Sequence, residues 1–290
     1  MACKNEIRYK IESVKNTKKI TQAMQMVSFA KMRKSKEKMY ASRPYLKTLS
    51  QIINNVLESS LEHQHTYFSK RKVKNIGWII ISTDRGLCGS LNTNLFKKIL
   101  IQMKKYSNKN ISSNICIFGS KAFSFFKFFN EKIISKTMNI EEKSIYIQSI
   151  KPIKKMLDEY KSGGIEKLYL AFNLFKNSMF QIPTISQLLP LNFKKNNSQK
   201  ISKWDYLYEP DSITLLNTLL ERYIEFQVYQ AIVENAASEQ AARMLAMKTA
   251  TENSDDYIKE LQLLYNKVRQ SSITQELTEI ISGASSVSSN

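Results

Sequence analysis

From Asp211 to Ser282 the chain contains neither glycine nor proline. Glu209-Pro210 precedes this stretch and Gly283 follows it, the punctuation expected of one uninterrupted helix. About 70 residues rising 1.5 Å each would make a rod on the order of 105 Å long, where an ordinary helix has roughly 11–12 residues. Propensity alone cannot hold such a rod, so it must lie along a partner. Leu216, Leu219, Tyr223, Phe226, Gln230 and Val233 step by threes and fours. So do Ile258, Leu261, Tyr265 and Val268, and both runs read as a coiled-coil seam. Between them the seam thins to Ala231, Ala236, Ala237, Ala241, Ala242, Ala246 and Ala250, side chains small enough for a partner helix to approach closely.

The partner is at the other end of the chain. Residues 3–43 also lack glycine and proline, and Ile7, Ile11, Val14, Ile20, Met24, Val27 and Ala30 form an apolar stripe. Leu46, Leu49, Ile53, Val56 and Leu57 extend it beyond Arg43-Pro44, where a kink or brief break is expected. The result is a helix of about 55 residues, roughly 80 Å long. Charge favours pairing the two ends: residues 1–47 carry a net +10 and residues 205–290 a net −7. In an antiparallel pair the longer helix overhangs at the tip, which leaves Ile273, Leu277, Ile280, Ile281 and Val287 without an intrachain partner. An exposed apolar tip of this kind marks a docking surface.

Between the rods, strand and helix patterns alternate. Strands are expected at 73–82, 115–118, 132–135, 167–173 and 180–189, and helices at 91–106, 121–129 and 149–160, the last ended by Gly163-Gly164. This alternation predicts a small α/β domain with a mostly parallel sheet. The fold class is α/β: a long antiparallel two-helix coiled coil of the N- and C-terminal segments, with a Rossmann-like domain inserted between them. The expected organisation is an N-terminal helix at 1–58, a linker at 59–72, the α/β domain at 73–190, a loop and hinge at 191–210, and the C-terminal helix at 211–287.

Catalytic chemistry is hard to find. Ser82-Thr83-Asp84-Arg85-Gly86-Leu87-Cys88-Gly89-Ser90-Leu91-Asn92 joins a strand to a helix, where α/β folds bind ligands. Gly86 and Gly89 could turn amides toward a phosphate, but the phosphate-loop spacing fails, and a tight structural turn is the plainer reading. Cys88 near a helix start could be a reactive thiol or a packed, inert one. His63 and His65 share one polar loop with no further metal ligands near them. Neither histidine is near a serine or cysteine in a triad-like arrangement. Cys3, Cys88 and Cys116 have no disulfide or metal spacing. The run Trp78–Ile81 is far too short to span a membrane, and no apolar signal segment opens the chain. No cofactor is expected. Of the total charge of +19, the middle segment 48–204 carries +16, a coding bias toward lysine or a surface for polyanions.

Several long motifs resemble the gamma subunit of rotary F-type ATP synthases, in its bacterial form. They are Ile7-Arg8 with Asn16–Val27, Lys31-Met32-Arg33-Lys34, the Ser82–Asn92 turn, Ile182–Pro190, Ala237–Met244, Tyr265-Asn266-Lys267 with Arg269-Gln270, and Ile273–Ile280. The resemblance runs to about Val287. It implies a non-catalytic central shaft standing inside a ring of alpha and beta subunits, with epsilon and the membrane c-ring as further partners. Proton flow would turn the shaft and drive ATP synthesis, with the reverse in hydrolysis. It also implies peripheral attachment at the cytoplasmic face of the bacterial inner membrane, indirect through the complex, and no nucleic acid.

By the same resemblance Met24 faces an acidic lever segment of beta, and Lys31, Arg33 and Lys34 belong to the neighbouring alpha/beta contact. Arg269 and Gln270 match a catch for a beta loop, with Thr274, Glu276 and Thr278 beside it. Tyr206, Tyr208 and Glu209 match the foot near the c-ring and epsilon. Ser90 departs from the family's usual glycine. The residues alone leave two other readings open: a basic coiled-coil protein that binds nucleic acid or acts as a scaffold, and a nucleotide-using enzyme built on residues 73–190.

Overall fold

The computed structural model describes residues 2–59, 66–69, 71–129, 131–139, 144–191 and 212–288. Helix α1 spans Ala2–Ser59 and helix α5 spans Ser212–Ser288. Between them lie β1 (Asn75–Ile81), α2 (Leu91–Ser107), β2 (Ser112–Phe118), α3 (Ser120–Phe126), β3 (Lys132–Thr137), α4 (Ile145–Lys161), β4 (Lys167–Phe175) and β5 (Gln181–Leu189). The chain divides into two compact units: residues 1–28 with 244–290, and residues 29–243.

The larger unit is built on a sheet of order β3-β2-β1-β4-β5. The first four strands are parallel, and β5 returns antiparallel along β4. Strand β1 is buried on both faces, which explains its continuous run of apolar residues. Ile76, Trp78 and Ile80 pack with Leu95, Ile99 and Phe126 of α2 and α3. Ile79 and Ile81 belong to the opposite core, with Ile153 and Met156 of α4, Leu49 and Ile53 of α1, and Leu220 and Ile224 of α5. Gly77 is where this second core comes closest: a Cβ there would lie 2.7 Å from Leu168 Cδ1 and 2.9 Å from Met156 Cε.

In this unit α1 and α5 run antiparallel. Tyr45 packs on Phe226 at a tilt of 43° with ring centroids 4.2 Å apart, Arg43 Nη2 donates to Glu234 Oε1 at 3.3 Å, and the Ser42 hydroxyl donates to Gln230 Oε1. These contacts bracket Pro44. The helix passes through that proline without a break, because tertiary contacts on both sides offset its missing hydrogen bond.

In the smaller unit Lys18 Nζ meets Asp255 Oδ1 at 2.5 Å, and Thr21 Oγ1 lies 2.8 Å from Thr251 Oγ1. The pairing is again antiparallel.

Two expectations need correcting. Gly283 does not end the last helix, which continues to Ser288; nothing lies within 4 Å of a Cβ built at that position. The stripe on α1 holds at Ile7, Leu49, Ile53 and Val56, which are buried, and fails in its middle. Ile20 and Val27 are 61% and 55% exposed, and Ala30 is exposed too. The inward positions are Ser28, Met32, Met39, Ser42, Leu49, Ile53 and Val56, spaced in the threes, fours and sevens of a heptad seam. Small hydroxyl residues hold two of these places, so counting apolar residues alone picks Ile20, Val27 and Ala30 in their stead.

Candidate functional site

The outward surface of the paired helices is unusually apolar. On α1, Tyr9, Ile20, Met26, Val27 and Phe29 are exposed, and Met24 is half-buried. Lys31, Arg33 and Lys34 are exposed next to them in sequence, while Met32 turns inward. Arg33 Nε pairs with Glu37 Oε1 at 3.4 Å across one helical turn. The basic segment is therefore a solvent-exposed ridge.

At the end of α5 the overhang is present. With Lys18 opposite Asp255, the start of α1 comes level with about residue 271, since both helices rise 1.5 Å per residue. Beyond that point Ile273, Leu277, Ile280 and Ile281 are all exposed. Val287 has its side chain outside the described residues. Arg269 and Gln270 are exposed. The Thr274 hydroxyl donates to the Gln270 carbonyl and the Thr278 hydroxyl to the Thr274 carbonyl, each at 2.9 Å. These hydroxyls bond back along their own helix, and Glu276 accepts only a long 3.5 Å bond from Ser272. Arg269, Gln270, Thr274, Glu276 and Thr278 thus share one exposed stretch of helix. Tyr206, Tyr208 and Glu209 lie outside the described residues, as do His63 and His65. Among the described residues no three histidine, cysteine or acidic side chains gather to hold a metal ion.

The turn after β1 is a tight structural one, the plainer of the two readings of its glycines. It is knit internally: Asn92 Nδ2 donates to Thr83 Oγ1 at 2.7 Å, and Thr83 Oγ1 donates to the Arg85 carbonyl at 2.8 Å. Asp84 Oδ1 accepts from the Ser120 amide at 2.9 Å. Leu87, at the tip, adopts φ 64° and is exposed, a strained conformation for a branched side chain. The turn presents carbonyl oxygens to α5. Arg243 donates from Nε and Nη2 to the Gly86 carbonyl, each at 3.2 Å. Its Nη2 also meets Glu239 Oε1 at 2.6 Å. A phosphate would need amide donors at this place; an arginine needs acceptors, and finds them. Burial pushes the Glu239 carboxyl above its ordinary 4.5, against the pull of Arg243. Burial likewise raises the Cys88 thiol, away from the reactive thiolate range, and raises Cys116 to about 12.

Sequence reasoning missed Arg243 as a contact residue. Its partners sit 157 residues earlier in the chain, and no local spacing announces them. A further grip lies beside it. Asn173 of β4 donates from Nδ2 to Asn235 Oδ1 at 3.0 Å, and the Ser238 hydroxyl donates to the Asn173 carbonyl at 2.9 Å.

Comparison with known proteins gives a consistent result. Residues 4–287 match the ATP synthase family profile. The chain is 55% identical over 289 residues to the ATP synthase gamma chain of Buchnera aphidicola subsp. Schizaphis graminum, covering 99% of each chain. Among solved structures it resembles a chain of the Euglena gracilis mitochondrial ATP synthase OSCP/F1/c-ring in rotational state 3. There the TM-score is 0.68 at 19% identity, over 99% of this chain and 95% of that one. It also resembles a chain of the rotor of the same enzyme in rotational state 1, with a TM-score of 0.64 at 22% identity over 94% and 99%. At such identities these two likenesses establish the fold.

Proposed function

The chain belongs to the family of ATP synthase gamma chains, and from this premise we propose that it is the central rotor shaft of a rotary F-type ATP synthase. Rotation of a membrane c-ring, driven by protons, turns it, and its rotation drives the catalytic beta sites of a surrounding alpha/beta hexamer through their conformations. In hydrolysis the direction reverses. The shaft itself catalyses nothing; it favours one site conformation over another by touching each differently. A difference of about 1.4 kcal/mol in contact energy between two orientations shifts a site equilibrium tenfold.

The observation that carries this reading is the bare end of α5. Leu277 is 54% exposed and Ile280 67%, on a helix that has run past its intrachain partner. Each such side chain gains about 1.5–3 kcal/mol when fully buried, and another polypeptide would supply that burial. The hexamer is the socket. Arg269, Gln270, Thr274, Glu276 and Thr278 contact it near the catch, and Met24 with Lys31, Arg33 and Lys34 contacts it along α1. Epsilon and the c-ring meet the foot at Tyr206, Tyr208 and Glu209. No helix among the described residues is long and apolar enough to cross a membrane. Attachment to the cytoplasmic face of a bacterial inner membrane is therefore peripheral, through the complex.

Affinity capture of the full chain from its native membrane tests the assignment. Alpha, beta, epsilon and c subunits are expected to co-purify; their absence, with steeply salt-dependent DNA binding in its place, would overturn it. Met24→Lys tests the α1 contact. A lysine there adds a charge bond to an acidic segment of beta, so ATP-driven proton pumping should fall more than ATP hydrolysis. Pumping that stays in proportion to hydrolysis would remove Met24 from the interface.

A further inference from the structure

In a doubly wound sheet the ligand crevice opens at the carboxyl ends of the strands, where strand order reverses. Here β1 lies between β2 and β4, so the crevice lies between the loops that follow β1 and the end of β4. The chain's own α5 occupies it. Asn235 and Ser238 reach Asn173 at the end of β4, and Arg243 reaches Gly86 just after β1. Ala242 packs between them on Cys88 and Leu91. Positions 235, 238 and 242 fall on one face of the helix, by the spacing of three, four and seven residues, and Arg243 flanks that face.

We infer that Asn235, Ser238 and Arg243 are positioning residues: they form a polar clamp that fixes the α/β domain to the shaft, so that torque entering one leaves through the other without slack. This rests on the shaft reading above. Three features favour a clamp over ordinary packing. First, the contacts are directional. Two carbonyls, an amide and a guanidinium fork define a single orientation, whereas apolar surfaces can slide. Second, the arrangement carries costs that stability alone would not select. Asn173 Oδ1 is buried without a partner among the described residues, and such an atom is destabilising. Glu239, mostly but not fully buried, pairs with Arg243, which is only 7% exposed. Buried polar groups kept at a cost are best attested where they enforce one register or geometry. Third, Arg243 binds the Gly86 carbonyl next to Leu87, whose strained, exposed conformation persists only when its surroundings over-determine it.

The test uses the assembled enzyme, in membranes whose own gamma chain has been replaced by this full chain or its variants. Asn173→Val/Asn235→Ala exchanges the polar pair for an apolar one of similar total volume. Arg243→Gln removes the fork, and Arg243→Lys keeps the charge but not the fork. Two quantities are read: protons pumped per ATP hydrolysed, and amide hydrogen exchange at residues 83–92 and 172–175. We expect pumping per ATP to fall about twofold or more in Asn173→Val/Asn235→Ala and Arg243→Gln, with Arg243→Lys between them and wild type. Exchange in the two segments should quicken about tenfold. The thermal midpoint of Asn173→Val/Asn235→Ala should hold or rise. Normal pumping per ATP in variants that assemble would overturn the clamp. So would a loss of pumping that merely tracks a lowered thermal midpoint. Failure of the wild-type chain to assemble or pump would instead strike the shaft assignment, a result distinguishable from both.

Discussion

The two parts of α5 are covalently one helix and physically two different objects. Between Leu216 and Arg243 almost every turn is enclosed. Leu220, Ile224 and Val228 face the α/β core, Gln230 and Glu234 meet α1, and Asn235 and Ser238 reach the sheet. Beyond Leu261 no residue with a described side chain is fully buried. The composition alone hardly distinguishes them, since both stretches contain leucine, isoleucine and glutamate at helical spacing. What differs is the supply of neighbours. The first stretch has α1 and the α/β domain beside it, whereas Ile273, Leu277, Ile280 and Ile281 of the last are exposed among the described residues. One helix is thus a fixed core element over one part of its length and solvent-exposed over the other.

Substitutions can break that contrast. The largest expected effect is at the enclosed stretch. Leu220→Ala or Ile224→Ala empties a fully buried site and should lower stability by about 2–5 kcal/mol. Leu277→Ala or Ile280→Ala should stay within about 0.5 kcal/mol of wild type in the isolated chain. Urea unfolding of the four variants reads both numbers. Equal losses at the two places would mean that the end of α5 is packed by its own chain.

A smaller effect sharpens the account of the enclosed stretch. The Glu239 carboxyl titrates above 4.5 in the folded state because it is buried. A raised carboxyl contributes its stability below the unfolded value and loses it as pH rises through the folded value. Glu239→Gln has no such loss. Its stability relative to wild type should therefore improve from pH 4 to pH 7. A relative stability that declined over that interval would show that the ion pair with Arg243 outweighs burial.

How much of this was legible beforehand depends on the kind of signal. The two long helices were plain from the absence of glycine and proline, and the α/β domain from alternation of period. The antiparallel pairing followed from complementary charge and the want of any other partner. The seam of α1 was misread at Ile20, Val27 and Ala30 because Ser28 and Ser42 occupy buried positions that an apolar count skips. Gly283 was overvalued as a stop: glycine costs a helix only about 1 kcal/mol, and here the helix absorbs it. The polar contacts of Asn235, Ser238 and Arg243 could not be read at all. Each joins residues 62 to 157 apart in the chain, and a buried arginine looks like any other until its carbonyl partners are in place.

The smallest effect makes the sharpest distinction. Thr274 and Thr278 donate to carbonyls of their own helix, bonds that water replaces at little cost when the hydroxyl goes. Thr274→Ala and Thr278→Ala should therefore leave the unfolding midpoint of the isolated chain unchanged within about 0.5 kcal/mol. In the assembled enzyme the same hydroxyls face the proposed socket, and removing them should lower pumping per ATP hydrolysed. The two measurements must diverge if this end of the helix is a ligand waiting for its site. If both stay flat, the threonines lie outside the contact. If the isolated chain weakens as well, the end of α5 is held by contacts within the chain, and the contrast between its two parts fails.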